Sequence, residues 1–430
     1  MFRAGMDALL REQEGMDVIN RETIRAMQLA KLNRLLLAEK EKQGFYRDLP
    51  EHLESLEELA DLPFTTDEDL AANAPGLLMM SQSRIERVLS DATSGTTGSA
   101  KRVFYSEQDC ENTIRLFMAG LGELVFPGSV TMICMPFSGP HGLGELISEA
   151  ILRLGAKPLK VGCSCSFEEL RQWMENEKPD TFVGMPVPLL SMLRVLGKGS
   201  LQRALISADA CPESLVRSCE EILGSRLFPH YGSREMGLGG AITCQAHAGM
   251  HLRENNVIAE IIDENGRPLP DGETGELVIT TIGMEAMPLI RYRTGDFTRI
   301  LPGICPCGSS VIRLDRVHRR AAVSPEAGRA GAEKPEAVSH GAGRPGGMED
   351  LDEIIFAHQE TADYRASRRE DAYQIELRTV PAADVRQVGE EIGSRLTKQF
   401  PRCSFTVESR SAQPEDTAMY PGKRVITDRR

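Results

Sequence analysis

From Ile24 to Leu37, Ile, Met and Leu recur at helical spacing among Lys, Arg and Glu, which predicts an amphipathic α-helix. On this pattern the whole stretch 1–60 reads as helical. Beyond residue 86 the pattern changes. Short β-branched or apolar runs (Val130–Met135, Phe182–Met185, Ala204–Ser207, Leu277–Thr281) alternate with longer amphipathic segments such as Ser166–Asn176. Such alternation predicts an α/β domain with a largely parallel sheet, because helices make the crossovers between parallel strands. Val257–Ile262 and Gly275–Ile279 flank an Asn265-Gly266 turn and predict a β-meander instead.

A break in composition follows Arg320. Residues 321–347 are rich in Ala, Gly, Pro, Glu and Ser and hold almost no large apolar side chain, as a linker or mobile loop does. Past the break, Glu353–Ala357, Ala372–Leu377 and Ser404–Glu408 read as strands and Ala383–Phe400 as a helix. The expected organisation is a large α/β domain with parallel-rich sheets and a β-rich subdomain over 1–320, a linker over 321–348, and a small α+β domain over 349–430.

Composition narrows the function classes. The 430 residues are 41% hydrophobic and 26% charged, ordinary for a globular protein. A formal net charge of −13 argues against a nucleic-acid surface, which is normally basic. The longest apolar runs fall far short of the roughly 20 residues of a membrane-spanning helix. Met1–Glu14 lacks a signal-peptide apolar core. The chain therefore reads as cytoplasmic, and a homodimer is compatible with it. Ten cysteines without an export signal make a disulfide scaffold a poor reading. Most read as small buried hydrophobes.

Three segments carry chemistry. Asp91–Lys101 places Ser94, Thr96 and Thr97 between Gly95 and Gly98 and closes on a lysine. Exposed amides and hydroxyls of such a run can wrap phosphate oxygens, and Lys101 adds a point charge. It is not a Walker A loop, which ends Gly-Lys-Ser/Thr. A polar turn is the plain alternative. Tyr231-Gly232-Ser233-Arg234-Glu235 offers an aromatic that can stack on a nucleobase and a carboxylate that can hold Mg²⁺, although a tyrosine at a strand end is often core. In Arg291–Asp296, Asp296 follows a tight glycine turn and can accept hydrogen bonds from ribose hydroxyls, or simply occupy a turn.

In this order the three segments resemble the adenylate-forming superfamily of acyl-CoA synthetases, firefly luciferases and peptide-synthetase adenylation domains, from about residue 40 to the end. Within it the chain is similar to the phenylacetate-CoA ligase branch, which includes deazaflavin-adenylylating relatives. Gly44-Phe45-Tyr46, Leu62-Pro63-Phe64-Thr65-Thr66, Met287–Asp296 and Cys305-Pro306-Cys307-Gly308 carry that likeness. The resemblance implies ATP-dependent activation of a carboxylic acid, aryl or arylacetic, to an acyl-adenylate, then transfer to coenzyme A. It implies that Ser94–Gly98 and Lys101 form the phosphate loop and that Ser207, Ala208 and Asp209 line the adenine pocket. By the same token Tyr231–Glu235 is the adenine and magnesium motif, Asp296 holds ribose, Arg320 sits near ribose or phosphate, and Lys423 is the C-terminal catalytic lysine. Phe137 and His141, in Pro136–Gly142, would border the acid pocket; His141 also reads as an ordinary loop histidine.

Two departures stand out. Arg234 occupies the place where the family usually has Thr before the magnesium glutamate. Arg319-Arg320 replaces a Gly-Arg hinge followed by Asp, which makes thiol transfer less secure than adenylation. Adenylylation without CoA transfer, as in the deazaflavin branch or in loading of a carrier protein, and a non-catalytic nucleotide-binding role are therefore the competing readings. Finally, Cys305 and Cys307 with Cys244 and His251 can satisfy a tetrahedral structural Zn²⁺, His247 being the alternate fourth ligand. Some relatives in the branch carry a zinc of this kind. Cys163 and Cys165, with no histidine nearby in sequence, read as core or loop thiols.

Overall fold

A computed structural model describes residues 5–91, 101–319, 343–417 and 424–429. The chain forms two compact units, one drawn from Met1–Pro127, Ser138–Gly155 and Phe228–Arg319, the other from Gly128–Phe137, Ala156–Leu227 and Arg320–Arg430. Among the described residues no helix is long and apolar enough to cross a membrane.

In the first unit, helices Met6–Glu14 and Arg21–Lys42 lead in. The second is started by a reciprocal cap in which the Thr23 amide donates to the Asn20 side chain at 2.9 Å and the Asn20 amide to Thr23 Oγ1 at 3.1 Å. Ser106 with Asp109 opens Glu107–Leu121 in the same way, and Thr66 with Asp69 opens Asp67–Asn73. Residues 15–20 and 43–55 are not helical, so the reading of 1–60 as helix is met only by Met6–Glu14, Arg21–Lys42 and a 3₁₀ turn at Leu56–Asp61. Strands Arg87–Asp91 and Lys101–Tyr105 pair antiparallel and bracket the Ser/Thr/Gly run. Val257–Ile262, Gly275–Thr281, Tyr292–Thr298 and His318–Arg319 form an antiparallel sheet in that order, the expected meander extended by two strands. Phe228–Tyr231, Ala241–Thr243 and Met250–Leu252 continue as a second antiparallel run, to which Arg313–Leu314 and Ile300–Leu301 add.

The second unit holds the parallel sheet, in the order Lys157–Lys160, Val130–Cys134, Thr181–Gly184, Arg203–Ile206. Its inner strands are buried over nearly their whole length, Thr181–Gly184 throughout, which explains why they read as continuous apolar runs. Lys157-Pro158 on the edge strand is the composition expected where no further partner pairs.

The C-terminal part of this unit is a four-stranded sheet with two helices. Thr361–Arg369 and Ala372–Thr379 pair antiparallel, and Ser404–Ser411 and Thr427–Asp428 add in parallel on either side. The helix over Val385–Gln399 matches expectation. Glu353–Ala357 does not: it lies in and just beyond helix Met348–Ile355, whose buried Leu351 and Ile355 are four positions apart on one face. Strand Thr361–Arg369 went unread because its buried alternation is carried by Ala362, Tyr364 and Ala366, two of which are too small to mark a hydrophobic stripe. Arg194 in helix Pro186–Leu196 ties this region down, donating to the carbonyls of Phe356 at 2.8 Å and Thr361 at 2.6 Å. Burial lowers its guanidinium to about 10.

Candidate active site

Lys101 opens a strand, Glu235 sits in the 3₁₀ turn Arg234–Met236, and Tyr292 begins the strand that carries Asp296. The fold brings them together. The Lys101 ammonium lies 2.6 Å from Glu235 Oε1, 2.9 Å from Asp67 Oδ1 and 3.1 Å from the Tyr292 hydroxyl. Tyr292 in turn donates its hydroxyl proton to Asp67. Burial works against the Lys101 charge, yet the Glu235 and Asp67 carboxylates outweigh it and raise its pKa. Burial and the Glu235 charge push the Tyr292 phenol up. That hydroxyl therefore stays a donor.

The turn that carries Glu235 is held from several sides. Tyr105 donates its hydroxyl to the Arg234 carbonyl at 2.7 Å, and Arg253 donates to the Met236 carbonyl at 2.8 Å. Thr113 Oγ1 reaches the Gly237 carbonyl at 2.6 Å. Gly232 permits the tight return before the turn, since a Cβ there would meet Gly239 Cα at 2.8 Å. Glu235 is thereby buried and aimed at Lys101. Beside it the Tyr231 hydroxyl donates to Asp296 Oδ2 at 2.8 Å, and burial together with Asp296 raises the Tyr231 pKa far above the ordinary phenol. The adenine and ribose residues expected from sequence are thus one hydrogen-bonded pair.

The other expected residues stand as follows. Ser94, Gly95, Thr96, Thr97, Gly98, Arg320 and Lys423 lie outside the described residues. Ser207, Ala208 and Asp209 follow strand Arg203–Ile206 in the second unit, where Ala208 adopts a left-handed φ of 71°. Such a backbone in a non-glycine residue is a feature of constrained loops. Phe137, in the same unit, has the Lys160 ammonium 5.8 Å above its ring. His141, in the first unit, also has a positive φ of 60°, and its carbonyl accepts from Arg87, which reaches Ser138 Oγ at 3.0 Å as well. Arg87 and Asp67 were not anticipated. No local pattern pairs Asp67 with a lysine 34 positions on.

Cys244, His251, Cys305 and Cys307 converge, their donor atoms all within 4.8 Å of one another. Cys244 and Cys305 sulfurs are 3.8 Å apart, and Cys307 sulfur is 3.4 Å from His251 Nε2. A tetrahedral zinc with bonds of about 2.3 Å to sulfur and about 2.0 Å to nitrogen has edges of roughly 3.8 and 3.5 Å. The donor set therefore fits that ion. His251 Nδ1 lies 3.3 Å from the Val311 carbonyl, an arrangement that directs the Nδ1 proton outward and leaves Nε2 free to ligate. Without a cation, burial pushes the Cys244 thiol up to about 12. His247 is not in the cluster: its ring packs edge-on against Phe228 with centroids 4.5 Å apart, which removes the alternate ligand. Cys163 is buried, and Cys165 donates to the Val161 carbonyl at 3.3 Å, as core and loop thiols do.

The profile of the AMP-binding enzyme family matches residues 91–286. The phenylacetate-coenzyme A ligase of Thermus thermophilus is 30% identical over 342 residues, 70% of this chain and 71% of that enzyme. That of Aromatoleum evansii is 31% identical over 332 residues, 71% and 72% of the two chains. Among solved structures, a 2-hydroxyisobutyryl-CoA ligase in its postadenylation state superposes with a TM-score of 0.75 at 20% identity, covering 95% of this chain and 90% of that one, a likeness of fold. With relatives this similar over more than two thirds of both chains, the protein belongs to the phenylacetate-coenzyme A ligase-like branch of the AMP-binding enzymes, which are AMP-forming acid–thiol ligases.

Proposed function

We propose that this chain activates an aryl or arylacetic acid with MgATP and then joins it to coenzyme A. A carboxylate oxygen of the acid attacks the α-phosphorus of ATP and pyrophosphate leaves. The coenzyme A sulfur then attacks the acyl carbonyl and AMP leaves. The single observation that carries this reading is the Lys101–Glu235 pair at 2.6 Å beside the Tyr231–Asp296 hydrogen bond. One cation, one buried carboxylate and one ribose-type acceptor standing together support a site for a nucleoside triphosphate. Glu235 is the residue that would hold Mg²⁺, which when bound supplies positive charge to the phosphate oxygens. Lys101 meets the same oxygens, Asp296 accepts from the ribose hydroxyls, and Tyr231 offers its ring to the adenine.

The aryl or arylacetic class rests on the substrate named for the relatives, and Phe137 and His141 are the residues assigned to its pocket. Ser207, Ala208 and Asp209 are assigned to the adenine, and Ser94–Gly98 and Arg320 to phosphate and ribose. Lys423 is assigned to the α-phosphate. Cys244, His251, Cys305 and Cys307 are assigned to one structural zinc. The division at 320 and 349 into large domain, linker and small domain remains part of the reading. A cytoplasmic location remains part of the reading, and none of the ten cysteines forms a disulfide.

ATP–pyrophosphate exchange over a panel of carboxylic acids tests the first step, and CoA-dependent AMP release tests the second. Exchange with phenylacetate or another aryl acid, followed by CoA-dependent AMP release, is the expected result. Exchange without CoA-dependent release would restrict the enzyme to adenylylation. No exchange with any acid would overturn the proposal.

A further inference from the structure

We propose that Asp67 is a positioning residue for adenylation: it takes over the Lys101 ammonium when Glu235 turns to Mg²⁺. The inference rests on the reading of Lys101 and Glu235 given above and adds a residue to it.

The argument begins with charge. One ammonium stands between two carboxylates, at 2.6 Å from Glu235 and 2.9 Å from Asp67. A lysine needs one such partner, and its side chain here is only 16% exposed. Were Glu235 its sole carboxylate, a largely buried ammonium would stand unpaired between losing Glu235 to the metal and meeting the phosphate oxygens, which is costly. With Asp67 in place the ammonium keeps a partner throughout. Tyr292 closes the arrangement, donating to Asp67 while its oxygen accepts from Lys101.

Asp67 is not needed to start its own helix. That task falls to Thr66 and Asp69, whose side chain accepts from the Thr66 amide at 2.9 Å. Yet its location is built with care. Thr65 lies in a parallel bridge with Tyr292, its amide donating to the Arg291 carbonyl and its carbonyl accepting from the Arg293 amide, both at 3.0 Å. The Thr65 hydroxyl donates to the Ile290 carbonyl at 2.6 Å and accepts from the buried Tyr46 hydroxyl at 2.8 Å. Arg291, itself buried, donates to the Ala60 and Leu62 carbonyls at 2.8 and 2.6 Å, pairs with Glu260, and stacks 4.1 Å over Phe64. These bonds stitch 60–65 to the strand of Tyr292, and the next turn delivers Asp67 to Lys101.

Two consequences follow for an Asp67→Asn variant. Among the described residues Glu235 becomes the only carboxylate on Lys101, so Mg²⁺ must compete harder for it. Folding is little affected, because the Asp67 side chain is 64% exposed. The experiment titrates Mg²⁺ against binding of a fluorescent ATP analogue, mant-ATP, to the full chain, for wild type, Asp67→Asn, Asp67→Glu, Glu235→Gln, Lys101→Ala and the Lys101→Ala/Asp67→Asn double variant. The expected result is a Mg²⁺ midpoint raised about two- to fivefold in Asp67→Asn, the worth of a partly exposed ion pair, with an unchanged melting temperature and recovery in Asp67→Glu. Asp67→Asn should have no effect in the Lys101→Ala background. An unchanged midpoint in Asp67→Asn, with Mg²⁺ dependence lost in Glu235→Gln, would overturn the Asp67 role and leave the site reading intact. An equal shift with and without Lys101 would overturn it too. Unaltered Mg²⁺ dependence in Glu235→Gln would sink the site reading itself, and this inference with it.

Discussion

Lys101 and Glu235 come from segments 134 positions apart and meet at 2.6 Å, so that the cation read as a phosphate ligand and the carboxylate read as a magnesium ligand neutralise each other. In the proposed roles, nucleotide and metal binding would separate them. The free site is thereby kept at low net charge inside a partly buried setting, where an unpaired ion of either sign is costly. This arrangement makes the two residues interdependent and shapes the first prediction.

Lys101→Ala and Glu235→Gln should each lower the maximal rate of ATP–pyrophosphate exchange by about 10²- to 10³-fold, as loss of a preorganised charge does. The double variant should be less impaired than the product of the two, because Lys101→Ala also takes the ammonium away from the buried Glu235 carboxylate. Exchange rates for the three variants decide it. Strict multiplication would mean that the pair is not broken in the working enzyme.

Purified protein should carry about one equivalent of zinc, released by a strong chelator with a fall in melting temperature. His251→Ala should lose the metal. His247→Ala should keep it, since that ring packs on Phe228. Elemental analysis of the two variants settles the fourth ligand, and zinc retained by His251→Ala would refute the assignment.

Lys423→Ala should slow acyl-adenylate formation by orders of magnitude, about 3–4 kcal/mol of transition-state stabilisation. It should leave thioester formation from a preformed acyl-adenylate nearly unchanged. The neighbouring residue gives this test its control. Arg424 is buried against Asp352 at 2.6 Å and lies 4.5 Å over the Tyr364 ring. Arg424→Ala should therefore lower the melting temperature, whereas Lys423→Ala should not. Equal loss of both half-reactions in Lys423→Ala would point to general docking instead.

Asp416 predicts a feature of acid stability. Its hydrogen bond from Arg410 and the amide of Gln413 hold the carboxyl at about 2 against an ordinary 3.8. A depressed folded pKa contributes stability that is present above the unfolded value and is lost as pH falls through the folded one. The contribution should thus fade between about pH 4 and pH 2. It should amount to less than about 1 kcal/mol, because Arg410 is half exposed and salt screens the pair. Urea unfolding of wild type and Asp416→Asn at pH 7 and pH 3 measures it. A gap between the two proteins that does not shrink at low pH would contradict the assignment.

Helix starts are written in the sequence as local pairs, although the reading of 1–60 as one helical stretch passed over the first of them. Asn20 with Thr23, Thr66 with Asp69 and Ser106 with Asp109 are local signals, and they form caps because a side chain three positions away can always reach the amide. The buried strands of the parallel sheet were legible, as runs of apolar residues that make sense only if both faces are covered. So were the chemistry-bearing segments, because glycine, hydroxyl and charged residues in those spacings serve few purposes. Strand Thr361–Arg369 and helix Met348–Ile355 were not, since small buried alanines leave no stripe and a four-residue apolar patch fits either period. Tertiary structure alone decided which histidine joins the three cysteines. His247 and His251 both lie within a few positions of Cys244, and the pairing of strand Met250–Leu252 with its neighbours aims His251 inward. It alone placed Asp67 on Lys101, through hydrogen bonds between segments more than 200 positions apart. The sequence by itself determined the local starts, the buried strands and the kinds of chemistry. Which ions face one another was left to the packing of distant segments, because a charge has no local signature of the partner it will meet.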